Sequence, residues 1–271
     1  MSKRIAFIGG GNMASAIVSG LIKQGLPSDL IDVVEPSAEA RDKLQASFGI
    51  TAHPQAGDFL LDAPLLVWAV KPQTFKEAAL AAAPHVLGGL HLSVAAGIRS
   101  DSIATWLGTE RIVRAMPNTP ALVGQGITGL FARASVTAND KAFVEQVIAT
   151  TGESLWLEAE DQLDVVTALS GSGPAYVFYF MEAMITAGTE MGLSREQAHQ
   201  LAVATFAGAS ALAKAPSDSP QVLRQRVTSR GGTTFAAISS MEDNDVRALF
   251  IDAMYAARER ARELGDEFGA R

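Results

Sequence analysis

The chain has 271 residues, 48% of them hydrophobic, with a formal net charge of −7 and no cysteine. Area scaling for a chain of this size gives roughly 11,000 Å² of folded surface against about 41,000 Å² unfolded, room for one large domain or two modest ones. The missing cysteines exclude disulfides, Cys-bearing zinc sites, iron–sulfur clusters and thiol catalysis, and the acidic balance argues against a nucleic-acid partner, which needs a basic surface. No apolar run approaches the ~18 residues of a membrane helix. The apolar run Ile5–Ile8 is too short for a signal-peptide core, so a globular protein of the cytoplasm is expected, with no membrane partner.

Ile5-Ala6-Phe7-Ile8 reads as a buried parallel strand. Gly9-Gly10-Gly11-Asn12-Met13-Ala14 follows at once, and Ala16, Ile17, Gly20, Leu21 and Ile22 recur at helical spacing up to Gly25. The pattern Gly9-x-Gly11-x-x-Ala14 therefore lies at a strand-to-helix turn. There the first glycine permits a tight turn, the second lets the backbone approach a pyrophosphate, and the small third residue lets the helix pack on the strand. An ordinary glycine-rich turn is the plainer reading. The strand before and the helix after favour dinucleotide binding.

A second strand is predicted over residues 30–35. Glu35 stands where a carboxylate takes the adenosine ribose 2′-hydroxyl, which favours NADH. Ser37 and Arg41 point the other way, as a hydroxyl and a cation suited to the 2′-phosphate of NADPH; Arg41 also suits a solvated helix position. Further apolar strands are predicted at 65–70, ended by Lys71-Pro72, at 91–96, ended by Gly97, and at 111–116, ended by Pro117-Asn118-Thr119-Pro120. Helical stretches at 75–87 and 100–106 lie between them. The alternation predicts a parallel sheet covered on both faces, with ligands beyond the carboxyl ends of its strands. Lys71, Gly97 and Asn118 all sit at those ends. Each also has a bland reading, as a solvated lysine, a turn glycine and a local turn-former. Two short strands, 127–132 and 154–157, with a helix at 140–150 between them, complete the sheet near residue 160.

Beyond Leu163 the strand signals stop. A helix over 163–169 is broken by Gly171-Ser172-Gly173-Pro174, where Ser172 reads as an N-cap for the next helix. That helix, 175–191, is apolar nearly all round, which places it in a core or a subunit interface. Ser194 with Gln197 forms a capping box for a helix to Lys214. Ser219-Pro220 starts another, and the last begins near Asn244. Residues 161–271 therefore read as an all-α dimerisation domain rather than a lobe packed on its own sheet. Within it, Ser229-Arg230-Gly231-Gly232-Thr233-Thr234 is a second glycine-rich turn feeding a helix, a device that suits a small carboxylate. A well-capped helix start is the alternative there.

The segments Phe7-Ile8-Gly9-Gly10-Gly11-Asn12-Met13, Ala69-Val70-Lys71-Pro72, Ala95-Ala96-Gly97, Arg114-Ala115-Met116-Pro117-Asn118-Thr119-Pro120, Ser170-Gly171-Ser172-Gly173-Pro174-Ala175-Tyr176 and Gly231-Gly232-Thr233-Thr234 resemble, in order and spacing, the Δ1-pyrroline-5-carboxylate reductases. The resemblance spans nearly the whole chain. It implies an α/β Rossmann-like domain over 1–160, and a helical dimerisation and substrate domain over 161–271. It implies hydride transfer from NADPH or NADH to the imino-acid substrate 1-pyrroline-5-carboxylate, giving L-proline, and a homodimer assembled into a ring of dimers.

Carried over by motif, Ile8, Gly9, Gly10, Gly11, Asn12, Met13, Glu35, Ser37, Ala69, Val70, Lys71, Pro72, Ala95, Ala96 and Gly97 would hold the cofactor, joined by Asn118 at its strand end. Ser229, Gly231, Gly232, Thr233 and Thr234 would bind the substrate, with Thr234 as the catalytic hydrogen-bond donor near the imine nitrogen. No metal is expected. Three positions depart from the family pattern: Arg230 stands where proline is usual, Arg226 where a polar amide is common, and Glu35 where a hydroxyl is common. A related imine or β-hydroxyacid reductase would need a helix-borne lysine acid, for which no motif is found. A dinucleotide-binding regulator without turnover would not need the second anion turn.

Overall fold

The computed structural model describes residues 3–86, 88–214 and 218–269. It divides into two compact units, Met1–Ser172 with Ala257–Arg271, and Gly173–Ala256.

The first unit is built on a seven-stranded sheet: β1 (Ile5–Ile8), β2 (Ile31–Val34), β3 (Leu65–Trp68), β4 (Leu90–Ser93), β5 (Ile112–Met116), β6 (Gly126–Ala132) and β7 (Gly152–Trp156). The spatial order is β2-β1-β3-β4-β5-β6-β7. The first four strands are buried throughout, as expected of parallel strands covered on both faces. Their alternate residues feed two cores. Ile5, Phe7, Val33 and Val67 pack with Ile17 of α1 (Asn12–Lys23), Leu44 of α2 (Ala38–Phe48) and Val147 of α5 (Ala138–Ile148). Ala6, Ile8, Leu66 and Trp68 pack with Phe75 of α3 (Pro72–Ala82) and Ile103 of α4 (Ser100–Leu107).

The all-parallel expectation fails at one pairing, since β6 runs antiparallel to β5. Only residues 117–125 separate them, too few for the dozen or so that a parallel crossover takes. The structure also adds an outer pairing that periodicity did not reveal. His53 bridges Val34 in parallel, with His53 N–H donating to Val33 O at 2.7 Å and Glu35 N–H to His53 O at 2.8 Å. Counting this one-residue strand outside β2, the order is that of the dinucleotide-binding doubly wound sheets. The helix expected over 75–87 starts earlier, at Pro72, and is α-helical to Ala82; its expected end, Leu87, lies outside the described residues.

One buried group ties stability to pH. The His91 ring accepts a hydrogen bond at Nδ1 from Trp68 Nε1 at 3.0 Å. Burial, helped by the nearby Arg111 charge, lowers its pKa to about 4. The native ring is therefore neutral where an unfolded histidine, titrating near 6.5, takes up a proton. This contribution to stability is complete above that value and falls with pH, by about 3 kcal/mol at pH 4. Urea unfolding from pH 7 to 4 should show the loss in the native protein but not in His91→Gln, whose amide oxygen can still accept from Trp68. An equal slope in the two proteins would remove His91 as the cause.

Past β7 the chain is helical. In α6 (Gln162–Val166) and the π turn Thr167–Gly171 that continues it, the reading of Ser172 as an N-cap is corrected. Ser172 has φ −83° and ψ −17°, a helical conformation rather than the extended one an N-cap takes, and its N–H donates to Thr167 O at 2.8 Å.

The second unit holds α7 (Gly173–Glu190), α8 (Arg195–Ala213), α9 (Pro220–Arg226), α10 (Thr233–Asp243) and the first part of α11 (Val246–Glu267). The Ser194–Gln197 capping box forms as expected. α11 starts at Val246 rather than Asn244 because Asp245, with φ +54°, is left-handed and turns the chain out of α10. Tyr176 and Phe180 of α7 set their rings edge-on to Phe250 of α11, each at 5.6 Å. Yet Phe178, Tyr179, Leu201, Leu212, Leu249 and Tyr255 remain more than half exposed. Exposed apolar helix faces on this scale mark an interaction surface. Among the described residues no helix is long and apolar enough to cross a membrane.

Candidate functional site

Strand order in the first unit reverses between β1 and β3, the place where open sheets bind ligands beyond their strand ends. The segments leaving those strands touch there. Gly9, which follows the buried Ile8, has φ +97°. A Cβ at this position would lie 2.6 Å from the Ala69 carbonyl oxygen and 3.0 Å from Val70 Cγ1. Gly10 is closed off differently: a Cβ there would meet Leu44 Cδ1 at 2.7 Å.

Gly11 is open. A Cβ there would meet nothing within 4 Å. Its residue begins α1 without any side-chain cap, so the amides of Asn12, Met13 and Ala14 lack an intrahelical acceptor. Open space over a glycine, in front of an uncapped helix start, fits a pyrophosphate. The residues present therefore suit a dinucleotide.

Glu35 is bound into this loop. Its Oε2 accepts from Gly10 N–H and its Oε1 from Ser37 N–H, both at 2.9 Å. The carboxylate ties the glycine turn to the start of α2 and places negative charge beside it. Ser37 Oγ caps α2 by accepting from Ala40 N–H at 3.4 Å. Arg41 is half-buried, and its Nη1 donates to the carbonyls of Glu35 at 2.9 Å and Pro36 at 2.7 Å. The two opposing signals of this segment are thus parts of one bonded loop.

After β3, Ala69 N–H pairs with Ile8 O at 2.8 Å, and Lys71 is the exposed residue before Pro72 opens α3. After β4, Ala95 and Ala96 lead to Gly97, with φ +72°. Asn118, after β5, is buried with both ends of its amide hydrogen-bonded. Its Nδ2 donates to Ser170 O and its Oδ1 accepts from Ile127 N–H, both at 3.1 Å. That side chain fastens the end of β5 to β6 and to the π turn, while the short helical turn Thr119–Val123 behind it packs against α1.

A polar group unremarked in the sequence fastens the same unit. Arg114, buried on β5, donates to Glu160 Oε1 at 2.7 Å. Glu160 also accepts from Ser100 N–H at 2.6 Å and Ser100 Oγ at 2.5 Å, capping α4. Burial works against the Glu160 charge, but Arg114 and Ser100 outweigh it and hold the carboxyl below its usual range.

In the second unit, residues 229–232 form a turn closed by Gly232 N–H donating to Ser229 O at 3.0 Å. Gly231 takes φ +76° at its third position, which explains glycine there. Gly232 is the extended N-cap of α10 and supplies no side-chain cap. Thr233 and Thr234 are the first helical residues rather than caps, and among the described residues neither hydroxyl has a hydrogen-bond partner. Arg226 is committed to Asp218 by two bonds, at 2.5 and 2.9 Å. Arg230 is exposed and has no ion-pair partner among the described residues.

The model for pyrroline-5-carboxylate reductase dimerisation matches residues 160–264, and that for NADP oxidoreductase, coenzyme F420-dependent, matches 4–97. A pyrroline-5-carboxylate reductase from Pseudomonas aeruginosa is 45% identical over 268 residues, covering 98% of each chain. The solved structure of a pyrroline-5-carboxylate reductase from Coxiella burnetii superposes with TM-score 0.90 at 40% identity, over 97% of this chain and 99% of that one. That of a Plasmodium falciparum pyrroline carboxylate reductase with NADP bound does so at 0.87 and 28% identity, over 97% and 98%. With both glycine-led helix starts in place and likeness running end to end, the chain belongs to the pyrroline-5-carboxylate reductase family.

Proposed function

We propose that the chain reduces 1-pyrroline-5-carboxylate to L-proline, the last step of proline biosynthesis, using NADPH or NADH. The observation that carries this is the pair of glycine-led, uncapped helix starts, at Gly11 and at Gly232. One suits a pyrophosphate and the other a small carboxylate. We divide the work at residue 160, with dinucleotide binding before it and substrate binding and dimerisation after it, in a cytoplasmic ring of dimers.

The bound nicotinamide supplies the hydride. The residues Ile8, Gly9, Gly10, Gly11, Asn12 and Met13 hold the pyrophosphate through backbone amides. Glu35 and Ser37 line the adenosine side, and Ala69, Val70, Lys71, Pro72, Ala95, Ala96 and Gly97 border the crevice beyond β3 and β4. Asn118, at the end of β5, completes the cofactor-binding set, its amide holding β5 to β6. Ser229, Gly231, Gly232 and Thr233 present the turn that receives the carboxylate. Thr234 directs its hydroxyl toward the imine nitrogen. A threonine is too weak an acid to release a proton near pH 7, so the substrate enters protonated or takes its proton from water. The chain's own contribution is then largely to bring the reacting carbons together in the right orientation.

Oxidation of NADH and of NADPH should be followed in parallel with pyrroline-5-carboxylate as substrate; no substrate-dependent signal with either defeats the proposal. Thr234→Ala should lower kcat/KM on the order of a hundredfold, the size of losing one donor aimed at developing charge. An unchanged kcat/KM removes Thr234 from this role.

A further inference from the structure

Gly97 is held from a direction the strand-end motif does not suggest. Besides its positive φ, a Cβ at Gly97 would lie 3.1 Å from Leu264 Cβ and 3.4 Å from the Leu264 carbonyl carbon. Leu264 belongs to the last turns of α11, which are part of the first unit.

The contact extends along both segments. Gly265 is buried, and a Cβ on it would meet the Arg99 guanidinium at 3.0–3.1 Å, so that the guanidinium lies directly against the helix backbone. Arg99 Nη2 also donates to Asp266 Oδ1 at 3.2 Å. Phe268 packs on the core cluster that contains Ile98 and Ile103. The helix end therefore meets residues 97–99 at two points, backbone against Gly97 and ion pair with Arg99, while Phe268 joins the cluster that holds Ile98.

On its other flank the turn is loosely tied. Its sheet pairing ends with Val94 N–H donating to Trp68 O at 3.0 Å, and Ala95 N–H reaches Ser93 Oγ at 3.4 Å. Toward α4 the segment is fixed by the buried Ile98 and by Ser100 N–H donating to Glu160 Oε1 at 2.6 Å, so it is at the left-handed Gly97, where a Cβ would meet Leu264 first, that α11 sets the backbone.

We infer that the C-terminal end of α11 is the positioning element of the cofactor turn, with Leu264 and the Arg99–Asp266 pair as positioning residues that set dinucleotide affinity. The inference rests on the proposed cofactor role of Ala95, Ala96 and Gly97. Positioning of this kind is reciprocal: if the docked helix end favours the bound dinucleotide, bound dinucleotide favours the docked helix end by the same factor.

The test measures the Kd of NADH and of NADPH by calorimetry for the full chain, Leu264→Ala, Asp266→Ala and Val86→Ala. Val86 is buried in the same core cluster, just ahead of β4 at the opposite end of that strand, so its truncation controls for lost stability. Kd should rise about five- to tenfold in Leu264→Ala, less in Asp266→Ala, and stay within about twofold in Val86→Ala. KM for the imino acid should not move. Hydrogen exchange across 262–268 should slow when NADH saturates the native chain, and this response should be lost in Leu264→Ala. An unchanged Kd in Leu264→Ala, or an equal rise in Val86→Ala, overturns the inference alone. Failure of the native chain to bind either dinucleotide overturns the cofactor reading, and this inference with it.

Discussion

Replacing Gly9 by alanine should abolish measurable dinucleotide binding and also lower the melting temperature. Two effects add. The residue sits at φ +97°, which costs an L-residue roughly 1–2 kcal/mol. Its methyl would also stand 2.6 Å from the Ala69 carbonyl oxygen. That oxygen belongs to backbone, so relief requires moving the segment after β3, the other wall of the crevice. Gly11→Ala should behave differently. Its φ of −72° is ordinary and its Cβ direction is open, so stability should change by no more than about 0.5 kcal/mol. The methyl fills the space assigned to the pyrophosphate, and affinity should fall at least about tenfold, 1.4 kcal/mol of lost contact. Calorimetric binding and thermal unfolding of both variants check this. If Gly11→Ala binds as tightly as the native chain, the pyrophosphate does not lie there.

Glu160→Ala should be the most destabilising single truncation of a polar residue in the first unit. It strands the Arg114 guanidinium, whose side chain is 7% exposed, and removes the cap from α4. Breaking a buried ion pair from one side costs about 3–5 kcal/mol, and the lost cap adds about 1 kcal/mol. In a domain of this size the melting temperature should drop on the order of 10 °C. Glu160→Gln keeps acceptors for Ser100 but loses the charge, and should fall between the two. A loss below about 1 kcal/mol in Glu160→Ala would show that water or a neighbouring carboxylate serves Arg114 as well. Asp164 also feels the Arg114 charge, but burial raises its pKa, so it is a poor replacement for an ionised partner.

Much of the first unit was legible from local pattern. A fully buried parallel strand is apolar at every position, so β1, β3 and β4 announced themselves as short runs ended by glycine or by Lys71-Pro72. The glycine turn after β1 was legible because both its reasons are local: a tight reversal and a helix start. The capping box at Ser194 and the left-handed Gly231 belong to the same class.

Errors and omissions fell where distant residues decide. Ser172 looked like a cap because Pro174 follows it, yet the π turn carries the helix through. Arg41 read either as a phosphate-binding cation or as a solvated helix residue; its bonds to the carbonyls of Glu35 and Pro36 showed only in the fold. Asn118 was expected at the crevice; that Ser170 and Ile127 bond its amide was not legible locally.

The opening arithmetic changes in one respect. Area scaling promised burial of about three quarters of the surface, but the helices from α7 onward carry apolar side chains outward. Sequence alone determined the two glycine-led helix starts and the order of strands and helices, since each depends on residues within a few positions of one another, and the family likeness, which the motifs carry by their order along the chain. Tertiary structure alone decided the one-residue strand at His53, the antiparallel β6, the Arg114–Glu160 fastening and the close approach of Leu264 to Gly97. Those contacts join residues 13 to 167 positions apart, and no local periodicity encodes which distant side chain fills the space beside a turn.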